Sequence, residues 1–517
     1  MAQQPPIRPI PIPIGQAGLI GTKNLARMTP EHLIEAVNIT MQDGTLRAMG
    51  GALRYDTGTI ASTLLGGVDW EPTDGTQRQV VVSLAGKINK DANDGNFAPI
   101  LKTGLVVSLA TVPVFVEAGK EAAAQARKLF LFTGTNAVQV LSGDGGSTTN
   151  ISTPPSDWSG TNQPTFGAVH ENRLWAGGNA NDPHRLYYPG TASHEDFSAG
   201  GSFAIYPTDG GKVVGALSFK GLLIVWKWPR GIYYIDTTDP TIANWKVRRI
   251  SREIGGVSPL GMVAIENDVL FMDGNGNIHA ISAVDEFGNL GMRAFSDMHE
   301  MKEFVSATFR RQYLPRIKAV FYADQRQVIF AMPGMGSIGA MDSYLFIDFN
   351  RPDLPRFLFG SRDSCNALWL RRDGNGILRP MIGDTSGFVY QLDQDARTKN
   401  GANYVASWRT ADYDFGEPGR RKVGVNALFV MRPVLAGSMT VRVQWDDFIA
   451  DTITVNPKAS GDLIGSTFIM NSSRLASGRL VTRRYPLNGS GYRLSLEGSA
   501  TSDFAVMQIV ADIQLEQ

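Results

Sequence analysis

RQVVVSLAGKI (Arg78–Ile88), KLFLFTGTNAVQVL (Lys128–Leu141) and NRLWAGGNANDPHRLYY (Asn172–Tyr188) share one plan. Each is a short apolar strand, a turn rich in Gly, Asn or Asp, and a second apolar strand. The plan returns in GLLIVWKWPRGIYYID (Gly221–Asp236), NDVLFMDGNGNIHAI (Asn267–Ile281), QVIFAMPGMGSIGAMDSYLFI (Gln327–Ile347) and GILRPMIGDTSGFVYQL (Gly376–Leu392). The copies recur about every 45–60 residues, the period of a β-propeller in which each hairpin is the middle of one blade. The expected fold is all-β, with a propeller of about six or seven irregular blades.

The texture changes on either side of these units. Residues 401–517 carry longer strands with alternating polarity. Val441, Val443 and Trp445 fall on one face, and Arg442 and Gln444 on the other. This pattern predicts a C-terminal β-sandwich. Residues 1–30 form an arm in which PPIRPIPIPIG (Pro5–Gly15) alternates Pro with Ile. Proline fixes φ and removes a donor, so the arm is expected to be extended rather than helical. Ile7, Ile10, Ile12 and Ile14 suit a contact better than permanent exposure, and docking on a neighbouring subunit is expected. The propeller then occupies residues 31–400. Two short helices are expected, one at Thr29–Ile39 with Thr29 as N-cap and Pro30 at its first position, the other within Val116–Arg127.

The totals narrow the function classes. The 517 residues carry a formal net charge of zero, so no overall basic field draws the chain to nucleic acid or a membrane. A neutral surface favours association. Glycine is abundant, at 56 residues, and charged residues are few, at 19%, which suits short strands joined by tight turns. The single cysteine, Cys365, excludes an intrachain disulfide and fits synthesis in a reducing compartment. Residues 1–30 lack the basic start and apolar core of a secretory signal. No apolar run reaches the roughly 18 residues needed to cross a bilayer.

Motifs for catalysis are weak. DGNGN (Asp273–Asn277) opens like a calcium loop but has Ile278 at the position of the turn glycine and Val284 where the closing Glu belongs. A hairpin turn explains it better, as it does RDGNG at Arg372–Gly376. HEDF (His194–Phe197) sets a His beside two carboxylates, but adjacent positions do not converge on one metal. SRDSCNALW (Ser361–Trp369) approaches an Asp-box turn with Cys in place of its glycine, and it is not repeated. Trp445–Asp446 is a lone WD pair. No nucleophile elbow or P-loop is present. The expectation is no enzyme activity, no cofactor and no metal. Basic clusters at Arg248–Arg249, Arg310–Arg311, Arg371–Arg372, Arg420–Lys422 and Arg483–Arg484 lack interleaved aromatics and read as solvated or inter-subunit charges. In the tip PGMGSIGAMD (Pro333–Asp342), Met332, Met335, Ile338 and Met341 are interface or gate candidates, because adaptable contacts use flexible apolar side chains.

FGAVHENRLWAGGNANDPHRLYYPGTASHEDF (Phe166–Phe197) resembles the blade signature of propeller proteins in short-tailed bacteriophage virions. ISREIGGVSPLGMV (Ile250–Val263) is similar to that family too, as is the opening Asn38 with DGTLRAMGG (Asp43–Gly51). The resemblance touches residues 38–392. Ala48–Met49 departs from it, since the pattern has a basic residue before the glycine. These are tail-nozzle or tail-hub proteins. The resemblance implies a structural virion protein forming the lower tail tube and the gate for DNA exit. It further implies a homo-oligomeric ring, usually a hexamer, with the tail adaptor ring and tail fibre or spike proteins as partners. Double-stranded DNA would pass transiently, and the subunit would be made in the host cytoplasm and end in the phage tail. The alternatives are a carbohydrate-binding or glycan-degrading propeller of a phage tail and a cellular scaffold propeller.

Overall fold

In the computed structural model the described residues are 6–22, 28–42, 44–58, 60–72, 75–91, 94–119, 126–190, 194–283, 290–351, 355–361, 364–434, 437–458 and 480–516. They form two compact units, one of residues 54–344 and 363–392, the other of residues 1–53, 345–362 and 393–517.

The first unit is a six-blade β-propeller. Blade 1 is Leu64–Trp70, Arg78–Ser83, Lys87–Lys90 and Ile100–Lys102. Blade 2 runs over Val114–Ala118, Lys128–Phe132, Gln139–Ser142 and Thr149–Asn150, and blade 3 over Phe166–His170, Arg173–Gly177, Arg185–Tyr188 and Gly201–Ala204. Blade 4 is Lys212–Phe219, Leu222–Trp228, Ile232–Asp236 and Lys246–Ser251, and blade 5 is Met262–Ile265, Asp268–Met272, Ile278–Ala283 and Leu290–Ala294. Blade 6 is built on Ala367–Arg372, Leu378–Gly383 and Val389–Gln394. The hairpin Lys318–Tyr322 with Gln327–Met332 sits in the ring between blades 5 and 6. First strands follow one another round the ring, and Ala367–Arg372 returns to lie beside Leu64–Trp70. Six of the seven repeated sequence units supply the second and third strands of these blades, and the seventh opens in Gln327–Met332 of the hairpin between blades 5 and 6.

The middle strands are largely buried because neighbouring blades cover both faces. Val80, Val81 and Val82 are buried, as are Leu223, Ile224, Val225 and Trp226. A continuous core joins blades 2, 3 and 4 through Phe130, Phe132, Trp175, Leu186 and Val225. Two first-strand glycines admit a ring from the preceding blade. A Cβ on Gly167 would lie 2.4 Å from Phe132, and one on Gly67 would lie 2.6 Å from Trp369. The ring is also latched by its entering chain: the Tyr55 N–H donates to the Val389 carbonyl at 2.8 Å, and the Val389 N–H donates to the Asp56 carboxylate at 2.7 Å.

The second unit holds two sheets, each burying one face, in the sandwich arrangement expected. One contains Ile39–Gln42, Thr45–Ala48, Ala505–Leu515, Lys422–Met431 and Val481–Pro486. The other contains Arg356–Gly360, His32–Val37, Ala406–Thr410, Leu494–Ala500, Met439–Trp445 and Phe448–Val455. Val441, Val443 and Trp445 are buried and Arg442 is exposed, as the alternation predicts, but Gln444 is buried as well, its amide donating to Glu497 at 2.7 Å.

Several expectations change. The sandwich does not begin at residue 401: the N-terminal 53 residues and the segment 345–362 belong to it. The Thr29–Ile39 helix is instead two strands, His32–Val37 and Ile39–Gln42, with Asn38 at φ 55° between them. Leu33, Ala36 and Ile39 have helical spacing, but antiparallel pairing with Ser407–Thr410 overrides local propensity. Of the second expected helix, residues 116–118 lie in the strand Val114–Ala118, and residues 120–125 lie outside the described residues. Among the described residues the α-helix is Met301–Thr308.

The arm also departs from expectation. Arg8–Ile12 pairs antiparallel with Ile509–Ile513 of its own chain. Ile12 and Ile14 are buried there, Ile10 is partly buried and only Ile7 is largely exposed. Apolar side chains at alternate positions fit a strand with one covered face. Pro9 and Pro11 lack the N–H that would extend the sheet further.

Candidate functional site

The hairpin turns use their carboxylates internally. Asp273 Oδ1 accepts the N–H groups of Asn275 and Asn277 at 2.8 and 2.9 Å, and its Oδ2 lies 3.0 Å from His279 Nε2. Burial works against the charged form, yet the hydrogen bonds from His279 and Asn277 hold the Asp273 carboxyl below its ordinary range. Asp373 accepts from the Asn375 and Ile377 amides, and Asp384 from those of Ser386 and Phe388. Asp91 accepts from the Gly95 amide and the Tyr55 hydroxyl. One device thus recurs: a carboxylate closes its own turn. Among the described residues no cluster of three or more His, Cys, Asp or Glu could hold a metal.

HEDF is a staple between blades 2 and 3. His194 is buried with its ring edge-on to Phe130, 5.8 Å between centroids, and burial lowers its pKa. Glu195 forms an ion pair with Lys128, and Asp196 accepts from the hydroxyl and amide of Ser198.

Several basic residues are tied down as well. Arg249 reaches Asp209 at 3.0 Å and lies over the Tyr206 ring. Arg371 lies over Tyr55, and Lys422 is buried, donating to the carbonyls of Glu417 and Tyr492. Arg483 donates to the Lys458 carbonyl.

The hairpin tip at residues 333–342 separates its four candidates. Met332 and Met341 are buried, Met335 is 50% exposed and Ile338 is 84% exposed. The loop is held from several segments. The Met335 N–H donates to the Thr308 carbonyl, Arg310 Nε to the Met335 carbonyl and Arg316 Nη1 to the Gly339 carbonyl, at 2.9, 2.6 and 2.9 Å. The Gly334 N–H donates to Asp342 and the Met341 N–H to Asn366, at 2.6 and 2.7 Å. Met332 and Met341 anchor the loop and Met335 and Ile338 are presented by it. Strand alternation alone could not separate the two pairs, because the loop path comes from long-range bonds.

Two buried polar clusters have weak sequence signals. Lys227 is fully buried between Trp226 and Trp228, donating to the carbonyls of Ile205 and Tyr206 at 3.2 and 3.0 Å. Nearby, the Tyr233 hydroxyl donates to Asp209 at 2.5 Å, and burial followed by this bond pushes Tyr233 up to about 12. Lys318 is buried and donates to the Asn366 carbonyl, and burial brings its ammonium down to about 8. A charged residue inside an apolar run, as in LLIVWKW, is the only sequence trace of such a cluster. A cavity of about 260 Å³ lies among the first strands, lined by Gly66, Phe115, Leu260, Val320 and Leu368. It is sized for a small molecule, not a polymer.

No family model and no curated protein matches the chain. Solved structures with similarity to it include the BBS1N–ARL6DN complex soaked with mercury, at 12% identity and a TM-score of 0.40, covering 67% of this chain and 99% of that one. The Myceliophteria thermophila Cps50 (Swd1) β-propeller domain gives 12% identity and a TM-score of 0.41, over 66% of this chain and 99% of that one. A chain of the Mitotic Checkpoint Complex gives 9% and 0.40, over 67% and 94%. The propeller assignment rests on the sheet order described above.

Proposed function

We propose that this chain is a structural subunit of a short-tailed bacteriophage tail, a nozzle or hub protein that assembles into a ring around the DNA exit path. One observation carries the assembly part of this reading. The 333–342 loop is bonded to the 308–310 stretch, to Arg316 and to Asn366, yet it points Met335 and Ile338 into solvent. A loop ordered in advance loses little entropy on binding, and exposed Met and Ile gain by being covered. The turn carboxylates support a non-catalytic role, because the residues that most resembled a site close their own hairpins. The tail assignment itself draws on the blade resemblance at Phe166–Phe197 and Ile250–Val263.

In such a ring the adaptor ring and tail fibres or spikes are the neighbours, and DNA slides through. A lumen rich in Lys and Arg would hold the duplex by counterion release, so the proposed lumen is neutral or acidic. The test is the mass and image of the purified assembly. A closed ring with residues 333–342 at a subunit contact or the lumen is the expected result. A monomer that cleaves or binds glycans would replace this reading with the carbohydrate one.

A further inference from the structure

Three polar side chains meet at one end of the gap between blades 3 and 4. Gly167 faces Phe132 of blade 2, so by alternation Ala168 and His170 of the same strand face blade 4. On the first strand of blade 4, Ala216 belongs to the core shared with blade 3 and Leu217 packs on the opposite side, so Ser218 faces back toward His170. Thr237 follows the third strand of blade 4, on the side of the buried Tyr233 and Ile235. His170 and Thr237 are buried, and Ser218 is exposed. The hairpins beside them turn on only two residues each, Glu171–Asn172 and Lys220–Gly221, all four at positive φ.

The His170 ring is held at both nitrogens. Its Nδ1 lies 2.8 Å from the Ser218 hydroxyl and its Nε2 lies 2.7 Å from the Thr237 hydroxyl. Thr237 gives its own proton to the Gly221 carbonyl at 3.5 Å, so its oxygen accepts from Nε2–H. Nδ1 then carries the free lone pair and accepts the Ser218 proton. Burial lowers the His170 pKa, against the pull of Glu171, and keeps the ring neutral. The Trp175 Nε1–H donates to the His170 carbonyl at 3.3 Å and fixes the backbone beneath. An exposed hydroxyl, a neutral imidazole and a group orienting its far nitrogen are the three parts of an activated nucleophile.

We propose that Ser218 is a nucleophile toward acyl esters, with His170 as its base and Thr237 as a positioning residue. Ser218 Oγ bonds to the ester carbonyl carbon as its proton passes to His170 Nδ1. The ester C–O bond breaks, and the leaving oxygen takes that proton from Nδ1. Water then attacks the acyl-serine by the same path, releasing the carboxylic acid and restoring Ser218. Thr237 is neutral, so the imidazolium lacks the bonded carboxylate that stabilises it in a full triad. The base is therefore weak, which restricts the reaction to esters whose oxygen leaves readily, such as aryl esters, and excludes amides. All three side chains belong to one chain, so the proposal does not rest on the ring reading.

Full-length protein treated with a fluorophosphonate tests the nucleophile, because Oγ displaces fluoride from phosphorus through the same proton transfer. Peptide mass spectrometry should place the adduct on Ser218, and para-nitrophenyl acetate should be hydrolysed; Ser218→Ala should abolish both. His170→Asn should slow labelling by about a hundredfold or more. Thr237→Val should slow it by about tenfold or more with the circular dichroism unchanged, and Thr237→Ser should restore it. Labelling should also fall as pH drops through the His170 pKa, which lies below its ordinary 6.5. A staple that only joins two blades gives neither the adduct nor the pH step. No adduct at Ser218, an adduct spread evenly over many serines, or labelling at Ser218 that is unchanged in both His170→Asn and Thr237→Val overturns the proposal.

Discussion

Replacing Gly67 by Ala probes the closure of the propeller ring. A Cβ there would lie 2.6, 2.7 and 2.8 Å from three atoms of the Trp369 ring, closer than real Cβ contacts allow. The Gly67 backbone is outside the left-handed region, so alanine adds a steric effect without conformational strain. Trp369 is 4% exposed and its Nε1–H donates to Gln79 Oε1 at 2.7 Å, so it cannot swing away cheaply. Overpacking of this kind costs about 1–3 kcal/mol. Losing the indole hydrogen bond adds about 0.5–1.5 kcal/mol. Gly67→Ala should therefore destabilise by about 2–4 kcal/mol, read as a lower urea midpoint with an unchanged slope. Trp369→Phe shortens the ring and makes room, so the same alanine should cost less in that background. Two residues in contact should show a coupling of about 0.5–3 kcal/mol in the cycle. If Gly67→Ala costs the same with Trp369 as with Phe, blades 1 and 6 do not meet as described.

Four further outcomes are expected. Met335→Ser with Ile338→Ser should reduce assembly in sedimentation while leaving the melting curve in place, because both side chains are largely exposed. Ile12→Ala and Ile14→Ala should each cost about 2–5 kcal/mol in denaturant unfolding, as buried large-to-small changes do, whereas Ile7→Ala should be nearly silent; equal effects at all three would mean the arm is not docked on its own chain. The Asp273 carboxyl is depressed in the folded state, so it stabilises above its unfolded pKa, and that stability is lost as pH falls through the folded value; Asp273→Asn should flatten the acid limb of a stability–pH curve. Lys318 is depressed to about 8 from 10.5, so the unfolded chain binds more protons between those values and stability should rise with pH across them; Lys318→Met should remove that rise.

Period, composition and turn chemistry determined the propeller without reference to any contact. Hairpins such as RQVVVSLAGKI state their strands, their turn and their burial on both faces in local sequence, because a blade's middle strands have the same surroundings in every copy. The same local logic read DGNGN as a turn, since Asp followed by Asn and Gly is what a closing carboxylate needs. The alternation at Val441, Val443 and Trp445 likewise stated a half-buried strand. What the sequence could not state depends on partners far along the chain. His32–Val37 became a strand because Ser407–Thr410 lies beside it, more than 370 residues away. The Pro/Ile arm found its cover on Ile509–Ile513, and a pattern of alternate apolar residues cannot say whose surface covers it. Met335 and Ile338 were separated from Met332 and Met341 by bonds from Thr308, Arg310, Arg316 and Asn366. Local sequence sets what a segment can bury and which turns it can make. Where the chain returns decides which of those faces is actually covered, and that is a property of the tertiary structure alone.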